Sequence, residues 1–381
     1  MNILSTLLSS FRSILPSLTG EGWRGAVGSR VGVRLSSFGV GLLFFLPLPL
    51  FSETIPSGYY DRIDGLNDAT LKGTLRLIIR PRTVIPYGSG TNSTWNVFYY
   101  SDRDPATGLC MDMYCDDWKP FTTPGKVVSG CNVEHSFAKS WWGGAENDAY
   151  KDCHHLNPSN STANSARSNY PLGDVPNPTK TAGSLKIGQR YHEGLGETHY
   201  VWEPKDEYKG DFARAYFYMA TCYGHDLDGS VPDLKPTSKK NYNGWRIDNK
   251  DVGSRYAMQN DNYLEFQDWE IDVLLRWHRQ DPVSDKELRR QDAVSDFQHN
   301  RNPYIDYPDL VEYIWGNRKG EAVDLLDITS ITAPILSPVP GSSPVPGAFP
   351  PGSSPAKVLI GGQIYIKTPD GLYDLTGVKQ Q

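Results

Sequence analysis

The sequence is short of positive charge, of long apolar runs and of cysteine, and each shortage excludes a class of protein. Its 381 residues carry a formal net charge of -6, whereas proteins that coat nucleic acids are usually basic. An acidic chain can hold phosphate groups only in a locally cationic groove. Aromatic residues make up 12% of the chain, which excludes a disordered protein and indicates a packed core.

The longest apolar run, residues 38–51, is too short for a membrane-spanning helix, which needs roughly 20 apolar residues. Two prolines also interrupt it. Arg30 and Arg34 precede this run, so residues 30–52 have the charged and apolar regions of an export signal peptide. We predict that residues 1–52 are an N-terminal extension with a signal peptide. The mature protein is then secreted or periplasmic and has no membrane segment.

Cysteine occurs at five positions, an odd number, so at least one thiol has no partner within the chain. The cysteines are Cys110, Cys115, Cys131, Cys153 and Cys222. In an exported protein we expect one or two disulfides. The simplest pairing joins Cys110 to Cys115 and Cys131 to Cys153, although the sequence does not determine the connectivity.

Residues 53–331 have the composition of one helix-rich domain, and we predict an α+β fold for it. Apolar residues that recur at three- and four-residue intervals predict helices. The predicted helices are residues 66–80, 211–223 and 264–278, a segment that begins at the capping box of Ser284 and Glu287, and a short segment from Pro308. Strand character is confined to Trp95–Tyr100 and to the flanks of residues 131–170.

The chain continues beyond this domain with two segments of different composition. Residues 332–357 are rich in Pro, Gly and Ser and almost uncharged, which is typical of a semi-extended linker. Residues 358–381 alternate apolar and polar residues around two turn signals, which predicts a short β-hairpin. We expect this tail to be a sorting or docking element, or else an appendage packed on the main domain.

The segment from Cys131 to Tyr170 concentrates the groups that bind metals and transfer protons. Glu134 and His135 are adjacent in a predicted strand, and Asp152–Asn157 could pair back as a second strand. A turn at residues 157–159 and a short helix over residues 162–169 would follow, with Asn164 on that helix. Histidine suits general-base catalysis near neutral pH, while carboxylate and amide oxygens suit a hard divalent cation.

Two blocks of this segment, NVEHSFAKSWWG and DCHHLNPSNSTANSARSNYPLG, resemble the bacterial extracellular endonuclease I family. That family comprises non-specific nucleases of the ββα-metal, or His-Me finger, class. Further similarity, from residue 59 to residue 316, lies in YYDRIDGLNDATLKGTLRLI, KGDFARAYFYMATCY, LLRWHRQDPVSDKELRRQDAV and NRNPYIDYPDLVEYIWG.

The resemblance implies a catalytic domain built around a ββα-metal motif. It makes His135 the general base and makes Glu134 and Asn164 the ligands of Mg²⁺, or of Mn²⁺ or Ca²⁺. It further implies hydrolysis of DNA, and of RNA too, to products with 5′-phosphates. We expect a monomer that binds nucleic acid through the phosphate backbone.

One feature departs from the family pattern. Some relatives carry an arginine in the loop between the two blocks, where it contacts the phosphate, but the only cation of this loop is Lys151. Arg167, Arg214 and Lys139 are the alternative candidates. We favour Arg214, because it lies off the apolar stripe of its helix.

Other readings of these residues remain open at this stage. His154 and His155 could form a zinc site with Cys131 and Cys153, or one histidine could orient the active site through a hydrogen bond. The pair Trp141–Trp142 could stack on bases or pack in the core, and Arg289–Arg290 could contact phosphate or face solvent. The rival function is a catalytically silent protein that binds nucleic acid or acts at the cell surface.

Overall fold

A computed structural model describes residues 55–80, 83–225 and 244–328 in full, together with the backbone of four short strands between residues 356 and 380. The predicted signal peptide lies outside these residues, as does the predicted linker up to residue 355. No helix of the described part is both long and apolar enough to cross a membrane.

Helices form most of the body. In chain order they are α1 (Asp68–Ile79), α2 (Thr94–Ser101), α3 (Ser161–Arg167), α4 (Lys209–Tyr223), α5 (Ser254–Ala257), α6 (Asp268–Gln280), α7 (Asp285–Gln298), α8 (Pro303–Asp306) and α9 (Leu310–Ile314). The long helices α1, α4 and α6 confirm the helices predicted from periodicity, with shifts of two to four residues at some ends. The capping box is also confirmed, because Ser284 Oγ accepts from the Glu287 amide while the Glu287 carboxylate accepts from the Ser284 amide.

Helix α4 is the centre of the core. Nearly all of its residues are buried, and it packs against α1 and α6. Its aromatic side chains meet other rings on several sides: Phe217 stacks on Trp315 at 4.5 Å, and Tyr216 meets Phe137 edge-on at 5.0 Å between ring centroids. Each such pair contributes about 0.5–1.5 kcal/mol beyond the area that it buries. Helix α4 therefore supports the segment around Phe137.

The strand predicted at Trp95–Tyr100 is wrong, because these residues form α2. A short aromatic run has no clear period, so its local pattern does not separate a strand from a buried helix. Tertiary packing decides the outcome here. Trp95 and Phe98 lie three residues apart on one helical face and join a cluster with Phe121 and Leu156.

Within the described residues, the strands form three antiparallel sheets. Their bounds are β1 (Cys131–His135), β2 (Leu156–Asn160), β3 (Lys180–Ala182), β4 (Leu185–His192), β5 (Glu197–Glu203), β6 (Ala356–Ile360), β7 (Gln363–Thr368), β8 (Gly371–Tyr373) and β9 (Lys379–Gln380). The sheets have the orders β1-β2, β3-β4-β5 and β6-β7-β8-β9. The β3-β4-β5 sheet was not foreseen from the sequence. A hairpin was predicted for the tail. There, β6 and β7 pair in antiparallel orientation as part of a four-stranded sheet.

Candidate active site

Strands β1 and β2 form a hairpin that carries the Glu-His pair. Glu134 lies opposite Asn157, and His135 lies opposite Leu156. The second strand thus runs from residue 156 to residue 160 instead of over 152–157, and the predicted turn at 157–159 is part of it. Pro158 is tolerated there because both strands of a two-stranded sheet are edge strands.

Helix α3 follows β2 directly and brings Asn164 to the hairpin. Asn160, the last residue of β2, caps the helix: its side chain accepts from the amides of Thr162 and Ala163 at 3.0 and 3.1 Å. Such a cap satisfies amides that the first helical turn leaves unpaired. The Asn164 side chain then reaches β1, where its Nδ2 donates to Asn132 Oδ1 at 2.8 Å.

An open cleft of about 460 Å³ lies where the hairpin meets this helix. The structure brings four of the predicted site residues to its walls, namely Glu134, His135, Asn164 and Arg167. Lys139 also lines it, whereas Arg214 lies elsewhere in the fold.

Glu134 is a buried carboxylate with two partners on one oxygen. Tyr114 donates its hydroxyl proton to Oε1 at 2.9 Å, and Arg167 Nη1 lies 3.2 Å from the same atom. Burial raises the pKa of Glu134 to about 7, and the charge of Arg167 and the Tyr114 hydrogen bond only partly oppose this. Burial thus outweighs the nearby positive charge, so that Glu134 is only partly ionised near pH 7.

The imidazole of His135 is held in one tautomer. Its Nε2 lies 3.0 Å from the carbonyl oxygen of Tyr150. A carbonyl can only accept, so Nε2 carries the proton and Nδ1 carries the lone pair. Burial holds the pKa of His135 well below its usual value, and the charges of His155 and Lys139 lower it further. His135 is therefore neutral near pH 7 and can accept a proton at Nδ1.

The oxygen atoms around this cleft fit a hard divalent cation. Tyr114 and Arg167 contact Oε1 of Glu134, and the carboxylate also accepts from the His135 amide. A carboxylate has about four acceptor sites, so one remains for a ligand bond. Asn164 uses its Nδ2 for Asn132, so its carbonyl oxygen is available as a second ligand. Mg²⁺ usually takes one or two protein oxygens and completes its shell with water and phosphate. A cation here would also supply the positive charge that buried Glu134 lacks.

The two arginines predicted to contact phosphate have other roles in the structure. Arg167 is buried: besides pairing with Glu134, it donates to the carbonyls of His135 and Ser136. Arg214 is wholly buried, and its Nε donates to Glu287 Oε1 at 2.7 Å. The prediction that Arg214 contacts the phosphate is therefore wrong. Arg214 lies off the apolar stripe of its helix because it forms a buried ion pair, and not because it is exposed.

The alternative of a zinc site finds no support in the described residues. In the described part of the chain, no three His, Cys, Asp or Glu residues are grouped so that they could hold a metal ion. Cys131 belongs to a cluster with Cys110, while Cys153 packs in another cluster. The Nε2 atoms of His154 and His155 bond to the carbonyls of Asn300 and Ala149.

The remaining candidates are also placed. Trp141 and Trp142 are buried core residues, so the core interpretation of this pair is confirmed. Arg290 pairs with Asp102 at 2.9 Å and donates to the carbonyls of Cys153 and Leu156. It therefore holds the start of β2 and does not face solvent.

Sequence reasoning missed three residues of the site, Asn132, Tyr87 and Tyr114. Asn132 could have been found, because alternate residues of a strand share a face and Asn132 is two residues before Glu134. Tyr87 stacks on the His135 ring at 5.7 Å between centroids. Neither tyrosine has a sequence signal, since both come from segments that only the tertiary fold brings to the hairpin.

Comparisons with known proteins show which family the chain is similar to. The family model described as Endonuclease I matches residues 68–309. An extracellular ribonuclease of Bacillus subtilis (strain 168) is 32% identical over 283 residues, which are 74% of this chain and 86% of that protein. An extracellular ribonuclease of Bacillus amyloliquefaciens is 34% identical over 262 residues, which are 68% and 78% of the two chains.

These findings define a nuclease, an enzyme that hydrolyses phosphodiester bonds. The chain belongs to the Endonuclease I family.

Proposed function

We propose that this protein is a secreted, divalent-metal-dependent endonuclease that hydrolyses RNA and DNA without sequence preference. The names of the two relatives support secretion and RNA as a substrate. The single observation that carries the proposal is the cleft, whose walls hold a neutral His135 together with the side-chain oxygens of Glu134 and Asn164.

The reaction follows from this arrangement. His135 Nδ1 takes a proton from a water molecule, whose oxygen attacks phosphorus while the bond to the 3′ oxygen breaks. One fragment keeps a 5′-phosphate, and the 3′ oxygen of the other takes a proton from solvent and becomes a 3′-hydroxyl. The Tyr150 carbonyl holds the Nε2 proton throughout and stabilises the imidazolium that forms. A divalent cation held by Glu134 and Asn164 would neutralise charge on the phosphate and stabilise the leaving oxygen.

We assign the contact with the phosphate to Lys139. Its side chain is exposed and lines the cleft. Its Nζ lies 5.1 Å from the centroid of the Tyr150 ring and 3.4 Å from its hydroxyl, while the backbone of the same tyrosine holds His135. Arg167 is buried in its ion pair with Glu134, so Lys139 is the better placed of the two cations. Lys139 therefore gives this acidic protein a local positive charge that can contact the nucleic-acid backbone. Such a contact carries no sequence information.

Removal of metal tests the proposal. We expect the purified protein to nick supercoiled plasmid with Mg²⁺ and to stop when EDTA is added in excess, because the metal ion is the group proposed to stabilise the leaving oxygen. Circular dichroism in the same buffers serves as the folding control. Cleavage that continues in EDTA, or folded protein inactive with both Mg²⁺ and Mn²⁺, would contradict it; the second result would favour a silent nucleic-acid-binding protein.

Replacement of Lys139 tests the phosphate contact. We expect Lys139→Ala to raise KM about tenfold, and to reduce the slope of log affinity against log salt by about 0.9, the value for one lost phosphate contact. Binding is measured by fluorescence anisotropy of a labelled oligonucleotide in EDTA at several salt concentrations.

The matched control is Lys151→Ala, which removes the lysine of the loop that precedes β2. Lys151 does not line the cleft, so its removal leaves both KM and the salt slope close to wild type. The reverse pattern, with the loss at Lys151, would assign the contact to the loop and reject Lys139.

A further inference from the structure

We infer that Cys110 and Cys131 form a disulfide, a pairing that differs from the simplest one expected from the sequence. Both residues belong to one apolar cluster with Trp95, Phe98 and Phe121, in which Cys110 is buried and Cys131 packs against it. A hydrogen bond between the two side chains shifts the pKa of each thiol. Two cysteines placed together in this way can be bridged when their Cα atoms lie within about 7 Å.

The alternative pairings conflict with the fold. Cys131 begins β1 and lies opposite Asn160, whereas Cys153 precedes the other end of β2. Four strand steps between residues 156 and 160 already span about 13 Å at roughly 3.3 Å per residue, while bridged Cα atoms lie within about 7 Å. Cys115 packs elsewhere, beside Gly183.

The two thiols differ in a way that sets the order of reaction. Cys131 is partly exposed, and the hydrogen bond from Cys110 lowers its pKa. Cys110 is 1% exposed, and the same hydrogen bond and burial raise its pKa. Since the thiolate is the nucleophile, Cys131 attacks first.

The oxidant is a small disulfide, such as oxidised glutathione. The Cys131 thiolate displaces one thiolate from it and forms a mixed disulfide. Cys110 then gives up its proton and attacks the sulfur of Cys131, which releases the second thiol. Two electrons pass from the protein to the oxidant, and two small thiols are formed.

The bond would fasten the beginning of the catalytic hairpin. Cys131 pairs with Asn160, the residue that caps α3, and it is followed by Asn132, the partner of the Asn164 amide. A bridge at this position ties the hairpin to residue 110 and restricts the unfolded chain by closing a loop.

The test treats purified full-length protein in the reduced state with oxidised glutathione. At intervals, free thiols are blocked with iodoacetamide, and the protein is digested without reductant for mass spectrometry. We expect a transient glutathione adduct on Cys131 and then peptides joined through Cys110 and Cys131. A lasting adduct on Cys131, or a bond from either residue to another cysteine, overturns the inference.

Thermal unfolding gives a second measurement. Reductant should lower the Tm of the oxidised wild type by about 5–10 °C, and should leave the Tm of a Cys110→Ala/Cys131→Ala variant unchanged. The control, Cys115→Ala, keeps the sensitivity to reductant. If the double variant remained as sensitive as the wild type, the bond responsible would lie elsewhere and the inference would fail.

Discussion

His135→Ala lowers kcat/KM for phosphodiester cleavage by about 10²–10⁴-fold, the range typical for loss of a general base. The physical reason is the fixed tautomer: with Nε2 bonded to the Tyr150 carbonyl, Nδ1 is the atom that takes the proton from water. Initial rates on a fluorogenic oligonucleotide with saturating Mg²⁺ measure the effect. Binding of the same oligonucleotide changes little, because His135 carries no charge near neutral pH.

A positive readout separates this role from a structural one. Because the cleft is open, added imidazole should restore part of the rate of the alanine variant, as a small base can enter the space left by the side chain. The matched control is His199→Ala: His199 is a half-buried histidine that stacks on Tyr256 and does not line the cleft. A rate for His135→Ala within about threefold of wild type is incompatible with a general base.

The second large effect concerns stability. Arg167→Ala should lower the free energy of unfolding by about 3–5 kcal/mol, the cost of removing one partner from a buried ion pair. The change leaves Glu134 without its cation and removes the donor to the carbonyls of His135 and Ser136. Urea unfolding followed by tryptophan fluorescence measures the loss, with Arg62→Ala, which removes an exposed arginine, as the control.

The same experiment decides between two roles for Arg167. If Arg167 contacted phosphate, its replacement would leave the Tm of the protein unchanged and would lower the affinity for the oligonucleotide. The structure predicts the opposite pattern, a loss of stability. Arg167→Lys should recover only part of that loss, since a lysine keeps the charge without the planar fork that reaches several acceptors at once.

The grouping of Glu134, His135 and Asn164 at one cleft could be predicted because these residues occupy one continuous segment. Glu134 and His135 end one strand of a hairpin, and Asn160 caps the helix that carries Asn164. Pairing of neighbouring strands and helix capping are local effects, so the order of residues already determines which side chains meet. The fold class was accessible for the same reason, since the long helices carry their periodicity in the sequence.

The roles of the cations could not be predicted, because they depend on partners distant in the sequence. Arg214 pairs with Glu287, and a helical pattern does not tell a buried charge with a partner from an exposed one. Tyr87 and Tyr114 were missed for the same reason, because only the tertiary fold brings them to His135 and Glu134. The helix at Thr94–Ser101 was misassigned because contacts with distant residues such as Phe121 stabilise it.

The position of Arg290 has a consequence for the time at which the start of β2 gains its contacts. The β1-β2 hairpin, which carries Glu134 and His135, lies in the first half of the chain. The carbonyls of Cys153 and Leu156, at the start of β2, accept hydrogen bonds from Arg290 of α7. A ribosome or an export channel releases the chain from its N-terminus. Until residue 290 emerges, Cys153 and Leu156 lack this donor and Asp102 lacks its cation. The start of β2 therefore gains its contacts with Arg290 only after residue 290 has been synthesised.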